Sequence, residues 1–175
     1  MTAQTSTATP TLSSARPAET SKVYEEGIVG GLIGAAAIAV WFLIVDAIHG
    51  RPLYTPTVLG TALFGSSEAL QAPESIPVSF DMALMFTWVH ALIFAALGGI
   101  AARLLGLAEK DPNYGFGILL LFVIFEFGFL IVAMAFAEGV LRALTIPAVL
   151  VGNLLAAAAM GAYFWRRHPN LTIFP

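Results

Sequence analysis

Four apolar stretches, each long enough for a helix to cross a bilayer, constrain this chain more than any other feature. They run from about Gly27 to Ile48, Met82 to Leu105, Tyr114 to Ala137 and Ile146 to Trp165. A helix needs about 20 apolar residues to cross roughly 30 Å of hydrocarbon. Only helices and closed barrels satisfy every backbone polar group there, and unbroken apolar runs without strand alternation select helices. The expected fold class is an all-α integral membrane protein, a four-transmembrane-helix bundle with a short interfacial helix in the first outer loop. Residues 1–22 read as a polar, disordered tail rich in Thr, Ser, Ala and Pro, residues 23–168 as the transmembrane domain, and residues 169–175 as a short C-terminal tail. The N-terminal stretch lacks the basic start and apolar region of a signal peptide.

Composition agrees. Hydrophobic residues make up 58% and charged residues 11% of the chain, and the mean hydropathy is +0.85. A soluble domain carries about 25% charge, so this chain is expected to meet the lipid bilayer with most of its surface. There is no cysteine, which excludes disulfides, thiolate chemistry and iron–sulfur ligation. A net charge of −3 without a basic stripe argues against nucleic acid as a partner.

Local signals mark the helix ends. Glu25 and Glu26 are expected in the first turn of the first helix, where the dipole favours anions. Ser79 can cap the second helix with Asp81 just inside it. Asp111-Pro112 reads as cap and first residue of the third, and Thr145 as cap of the fourth with Pro147 in its first turn. In the long connection from about Gly50 to Ser79, Thr55-Pro56 resembles a helix start and Gly65 a stop. Val58, Leu59, Ala62 and Leu63 would share one face of a short helix on the outer membrane surface. The alternative is an irregular loop packed on the bundle.

Six of the eight Lys and Arg residues (Arg16, Lys22, Arg103, Lys110, Arg166, Arg167) fall at the end shared by both termini; Arg51 and Arg142 fall at the other. The excess places both termini in the cytoplasm, with a bacterial cytoplasmic membrane as the expected location. Tyr163 and Trp165 fit the interfacial aromatic belt on that side.

Three sets of residues are candidates for function or packing. His90, Glu126 and Asn153 lie twelve or thirteen residues from the same boundary, about 18–20 Å into the membrane. Polar groups at that depth normally point into the bundle. They form either a proton, substrate or cofactor site or a hydrogen-bonded clasp that sets helix register. A second set gathers at the outer face: Asp46, His49, Arg51, Glu138 and Arg142. Asp46 sits near a helix C-terminus, where the dipole disfavours a carboxylate, so a cationic partner is expected. A metal site is the alternative to an ion-pair network. The third set consists of small residues at spacings that allow close helix approach in lipid: Gly27, Gly30, Gly31 and Gly34 on the first helix, Gly152, Ala156 and Gly161 on the fourth. By contrast the third helix is bulky, with Phe116, Phe122, Phe125, Phe127, Phe129 and Phe136 spread around it.

Catalytic patterns are missing. The chain contains no Glu-x-x-His, His-Glu-x-x-His, P-loop or dinucleotide fingerprint, so no enzyme is expected and no cofactor is assigned. The first expectation is a non-catalytic accessory subunit of a larger membrane complex, respiratory or photosynthetic, whose partners are other membrane protein subunits. The alternatives are a small oligomeric transporter or proton-coupled carrier using the His90, Glu126 and Asn153 layer, and a subunit that contacts a pigment or haem through His90. Neither His49 nor His168 reaches the depth of His90, so two axial histidines within one chain are not available.

Overall fold

The computed structural model describes residues 16–66, 68–109, 111, 114–116 and 145–169. Among them every element is helical and there is no strand. Helix α1 spans Arg16–Ile48, α2 Tyr54–Phe64, α3 Phe80–Ala108 and α4 Ile146–Arg167; two 3-10 turns, Ala69–Gln71 and Pro73–Ser75, lie between α2 and α3. Helices α1, α3 and α4 are each long and apolar enough to cross a membrane. Most of the third apolar stretch, with Glu126, Glu138 and Arg142, lies outside the described residues.

Helix α1 starts at Arg16, inside the stretch that reads from sequence as tail. Glu25 and Glu26 therefore sit well inside the helix rather than in its first turn. Apolarity marks where a helix enters lipid, and a helix continues through polar residues beyond that point. The same holds for α3, which exceeds its apolar run at both ends.

The three long helices are organised around α1, which packs against both α3 and α4. Its glycines form two tracks that serve different neighbours. Gly27 and Gly31 face α3: a Cβ on Gly27 would lie 2.5 Å from the Gly99 Cα, and one on Gly31 would overlap the Phe94 carbonyl. Reciprocally, a Cβ on Gly98 would overlap the Gly27 carbonyl and come within 2.6 Å of the Gly31 nitrogen. Backbone thus touches backbone, and dispersion contact replaces the hydrophobic drive that lipid removes. Gly30 and Gly34 face α4, where they receive the Phe164 ring and the Met160 sulfur. These pairings run α3 and α4 antiparallel to α1, so the start of α1 and the end of α4 share one end of the bundle.

Farther along α4, Gly152 lies against Trp41, and Ala156 is buried. The Trp41 indole donates to the Ala148 carbonyl at 2.8 Å. Gly161 departs from the expected packing set. It is exposed, and no described atom lies within 4 Å of a Cβ built there. Its place on the helix turns it away from the track of Gly152, Ala156 and Met160.

Candidate functional site

Polar side chains concentrate at the two ends of the bundle, with His90 between them. At the end where α1 stops, Gly50 takes a left-handed conformation (φ 72). The Arg51 amide returns to the Asp46 carbonyl at 2.9 Å and the Gly50 amide to Ala47 at 3.0 Å. This pair of bonds closes the helix in a Schellman turn. It also sets the Asp46 side chain beside the start of α2. Leu53, the cap residue of α2, holds a left-handed φ of 68 and offers no side-chain acceptor. Asp46 supplies one from a distance: its carboxylate accepts the Thr55 amide at 2.8 Å and the Thr55 hydroxyl at 2.7 Å, and the residue is buried.

The expected cationic partner of Asp46 is therefore replaced by the amino end of α2. A helix N-terminus presents unpaired N–H groups and a partial positive charge, which offsets the unfavourable carboxyl end of α1. Arg51 turns away from Asp46. Its guanidinium stacks 3.9 Å above the Tyr54 ring and donates to the carbonyls of Glu74 (3.1 Å) and Ile76 (2.6 Å). The Tyr54 hydroxyl donates to the Pro73 carbonyl at 2.9 Å. Burial raises the Tyr54 pKa above its ordinary value of 10.0, with Arg51 opposing the shift. The turn Pro73–Ser75 and the residue after it are thus pinned through three carbonyls.

His49 is exposed and its Nδ1 contacts its own helix at the Val45 carbonyl, 2.7 Å away. Asp46, His49 and Arg51 consequently point to three different places. Among the described residues no group of three or more His, Asp or Glu side chains is arranged to hold a metal ion.

Helix α2 forms where Thr55-Pro56 and Gly65 suggest it, and of its shared apolar face only Val58 is buried against the protein. Thr55, Thr57, Val58 and Gly60 are buried, while Ala62 and Leu63 are exposed. The Thr57 hydroxyl donates to the Leu53 carbonyl at 2.7 Å and accepts the Ser79 amide at 3.2 Å. A Cβ on Gly60 would overlap the Met82 carbonyl. So α2 docks on the start of α3 through hydroxyls and backbone, next to the Ser79 cap, whose hydroxyl accepts the Met82 amide at 3.4 Å. Thr145 makes no such side-chain cap for α4.

At the opposite end His168, which reads from sequence as the edge of a tail, joins three helices. It follows the last turn of α4, where its amide returns to the Phe164 carbonyl at 2.9 Å. Its ring lies between two carboxylates. Nδ1 is 2.8 Å from Glu109, just past α3, and Nε2 is 3.0 Å from Glu26 on α1. The Glu26 contact has ion-pair distance without hydrogen-bond geometry, since neither atom has a hydrogen-bond partner; Glu109 is the stronger half. A ring serves both carboxylates only when both nitrogens carry protons. Depth along the helices gives little sign of this junction, because Glu109 lies six residues past Arg103 and His168 only two past Arg166.

Midway, His90 lies half-buried on the α3 face turned to α1. Its ring is near the Ala35 backbone and between Phe86 and Phe94, at centroid distances of 5.4 and 4.7 Å. Its Nε2 is buried and has no hydrogen-bond partner. Asn153 is half-buried on α4 and has a partner. The helices carrying these two residues each pack on α1 rather than on each other. Glu126, the third member of the expected layer, lies outside the described residues.

Set against protein-family models, curated proteins and solved structures, the chain matches none of them.

Proposed function

We propose that this chain is a non-catalytic subunit of a larger membrane assembly, a four-helix transmembrane bundle whose Arg103 and His168 end faces the cytoplasm. One observation carries the reading: Asp46, Arg51 and His168 are engaged in holding helices and turns together at the two ends, while the outward faces stay apolar. Asp46 caps α2, Arg51 clasps a loop, and His168 ties three helices. Meanwhile Trp88, Leu92, Leu154 and Trp165 are each more than three-fifths exposed. Surfaces of this kind meet lipid or other membrane helices. Gentle detergent extraction from native membranes followed by native gel electrophoresis tests the proposal. A particle larger than one chain with its detergent is expected; a monodisperse single-chain particle under the mildest extraction refutes it.

A second reading, a proton-coupled carrier, is favoured by the unpartnered Nε2 of His90 in the α1–α3 seam, since buried ionisable groups in membranes commonly mark proton paths. Vesicles reconstituted with the protein and a pH-sensitive dye separate the two. Proton flux lost in Glu126→Gln and His90→Gln supports the carrier; flux indistinguishable from empty vesicles removes it. Contact with pigment or haem through His90 is less favoured, because Nε2 has no exposed surface for a metal to approach.

A further inference from the structure

We infer that the groove between α1 and α3 near Arg103 binds an anionic phospholipid, with its phosphate at Arg103 and Tyr24 and an acyl chain along the groove. This inference is independent of the subunit reading, because it requires no second protein.

The groove follows from the glycine packing. Where Gly27 meets Gly98 and Gly99, the two backbones touch and no side chain fills the shoulder between the helices. The result is an apolar channel, open along one side, with Ile28 and Ile100 as its walls and Ala95, Ala96 and Gly99 as its floor. Among the described residues a Cβ built on the buried Gly99 would meet only the Tyr24 ring, at 3.8 Å, an ordinary van der Waals distance. From Ala95 to Arg103 the channel extends about 12 Å along α3. Both helices are membrane-spanning candidates over this stretch, so the material reaching the open side is membrane material.

Charge at the mouth selects among the possible occupants. Arg103 is exposed and forms no ion pair with a described carboxylate; it makes a long contact to the Tyr24 hydroxyl, 3.4 Å from Nη1. A guanidinium has five donors in a planar fork suited to phosphate, and most of these donors are unused. The Tyr24 hydroxyl can add another. Glu25 borders the separate opening on the far side of Tyr24, with Ser21 and Val29. An anionic headgroup is thereby directed to the Arg103 side. An apolar channel ending in a cation matches one lipid molecule better than a second helix, which would bury that cation without a partner.

The test is native mass spectrometry of the full-length protein in detergent, titrated in parallel with phosphatidylglycerol, phosphatidylcholine and inorganic phosphate. Phosphatidylglycerol adducts are expected to exceed phosphatidylcholine adducts, with no response to phosphate alone. Arg103→Gln should lower the phosphatidylglycerol preference roughly fivefold, the scale of one basic residue at an anionic surface, and weaken phosphatidylcholine, whose phosphate charge is offset by choline, much less. Gly99→Leu, which fills the channel without touching the charge, should reduce both lipids. Equal binding of the two lipids by the unmodified protein overturns the inference, as does a preference untouched by Arg103→Gln. Because the chain has no cysteine, Ile100→Cys supplies a lone thiol; its cross-linking to another protein in native membranes would show a helix, not a lipid, in the groove and also overturn the inference.

Discussion

Replacing Asp46 by asparagine should release α2 while leaving the three long helices assembled. The carboxylate accepts two bonds from Thr55 while buried. Hydrogen bonds to a charged group contribute about 1.5–3 kcal/mol each, and a buried donor left unsatisfied costs about 1–3 kcal/mol. Asparagine keeps one acceptor oxygen but turns an NH2 group toward the second Thr55 donor. It also removes the anion from a helix N-terminus, an effect of up to about 2 kcal/mol when partly buried. These contributions overlap, and their combined effect on opening α2 is about 2–4 kcal/mol. At about 1.4 kcal/mol per factor of ten, amide exchange across residues 54–64 should quicken by about 30-fold to several hundred-fold. Hydrogen–deuterium exchange with mass spectrometry on the protein in lipid nanodiscs reads this directly. Thr55→Val, which removes only the hydroxyl half, should give a smaller increase of roughly tenfold. Unchanged protection in Asp46→Asn, or a larger effect from Thr55→Val, would show that the carboxylate does not cap α2.

The remaining expectations concern packing, the end clasp and alkaline pH. Gly98→Ala should lower thermal stability in detergent by about 1–3 kcal/mol, because the new methyl meets the backbone of Gly27 and Gly31. Gly161→Ala, in open surroundings, should stay within about 0.5 kcal/mol of the parent or exceed it slightly; a thermal melt of both variants checks the contrast. His168→Ala should cost about 1 kcal/mol, the scale of a partly exposed ion pair. Adding Glu26→Gln and Glu109→Gln to it should restore part of the loss by relieving two unscreened carboxylates, as read by chemical denaturation. Tyr54 should ionise above pH 10, because burial raises its pKa. Its neutral form is favoured in the fold, so its contribution is fully present below the unfolded value near 10 and is lost as pH rises through the higher folded value. The tyrosinate absorbance titration should lose its most alkaline component in Tyr54→Phe.

The parts of this architecture legible in sequence are those governed by length and local chemistry. Apolar runs locate α1, α3 and α4, Gly65 ends α2, and Ser79 caps α3. The small residues of α1 are legible as two tracks, but spacing fixes only their direction around the helix. That one track meets Gly98 and Gly99 and the other Phe164 and Met160 depends on partners far away in the chain. Which residues of α2 dock on the protein is not legible in sequence: where the surroundings are apolar, leucine is not driven inward, so Leu63 stays outside while Thr57 is buried. Side-chain charges alone suggest a cation for Asp46; the opposing charge is instead the dipole of a helix that begins eight residues later, at Tyr54. His168 carries no mark of its junction, because it lies past the end of the apolar run.

The two glycine tracks of α1 also impose an order in time. The partner of the first track arrives soon after α1 itself, since α3 begins at Phe80. The partner of the second is α4, and the Trp41–Ala148 bond spans 107 residues. At about 5–20 residues per second, a ribosome needs roughly 5–20 s to cover that distance. During that interval the Phe164 and Met160 side chains that Gly30 and Gly34 receive are missing, and lipid or a foreign helix can take their place, although Gly34 already has the Phe94 ring of α3 nearby. A newly inserted α1 is thus an adhesive surface awaiting its own chain, and slowing or truncating synthesis before Ile146 would leave it open to association with neighbours.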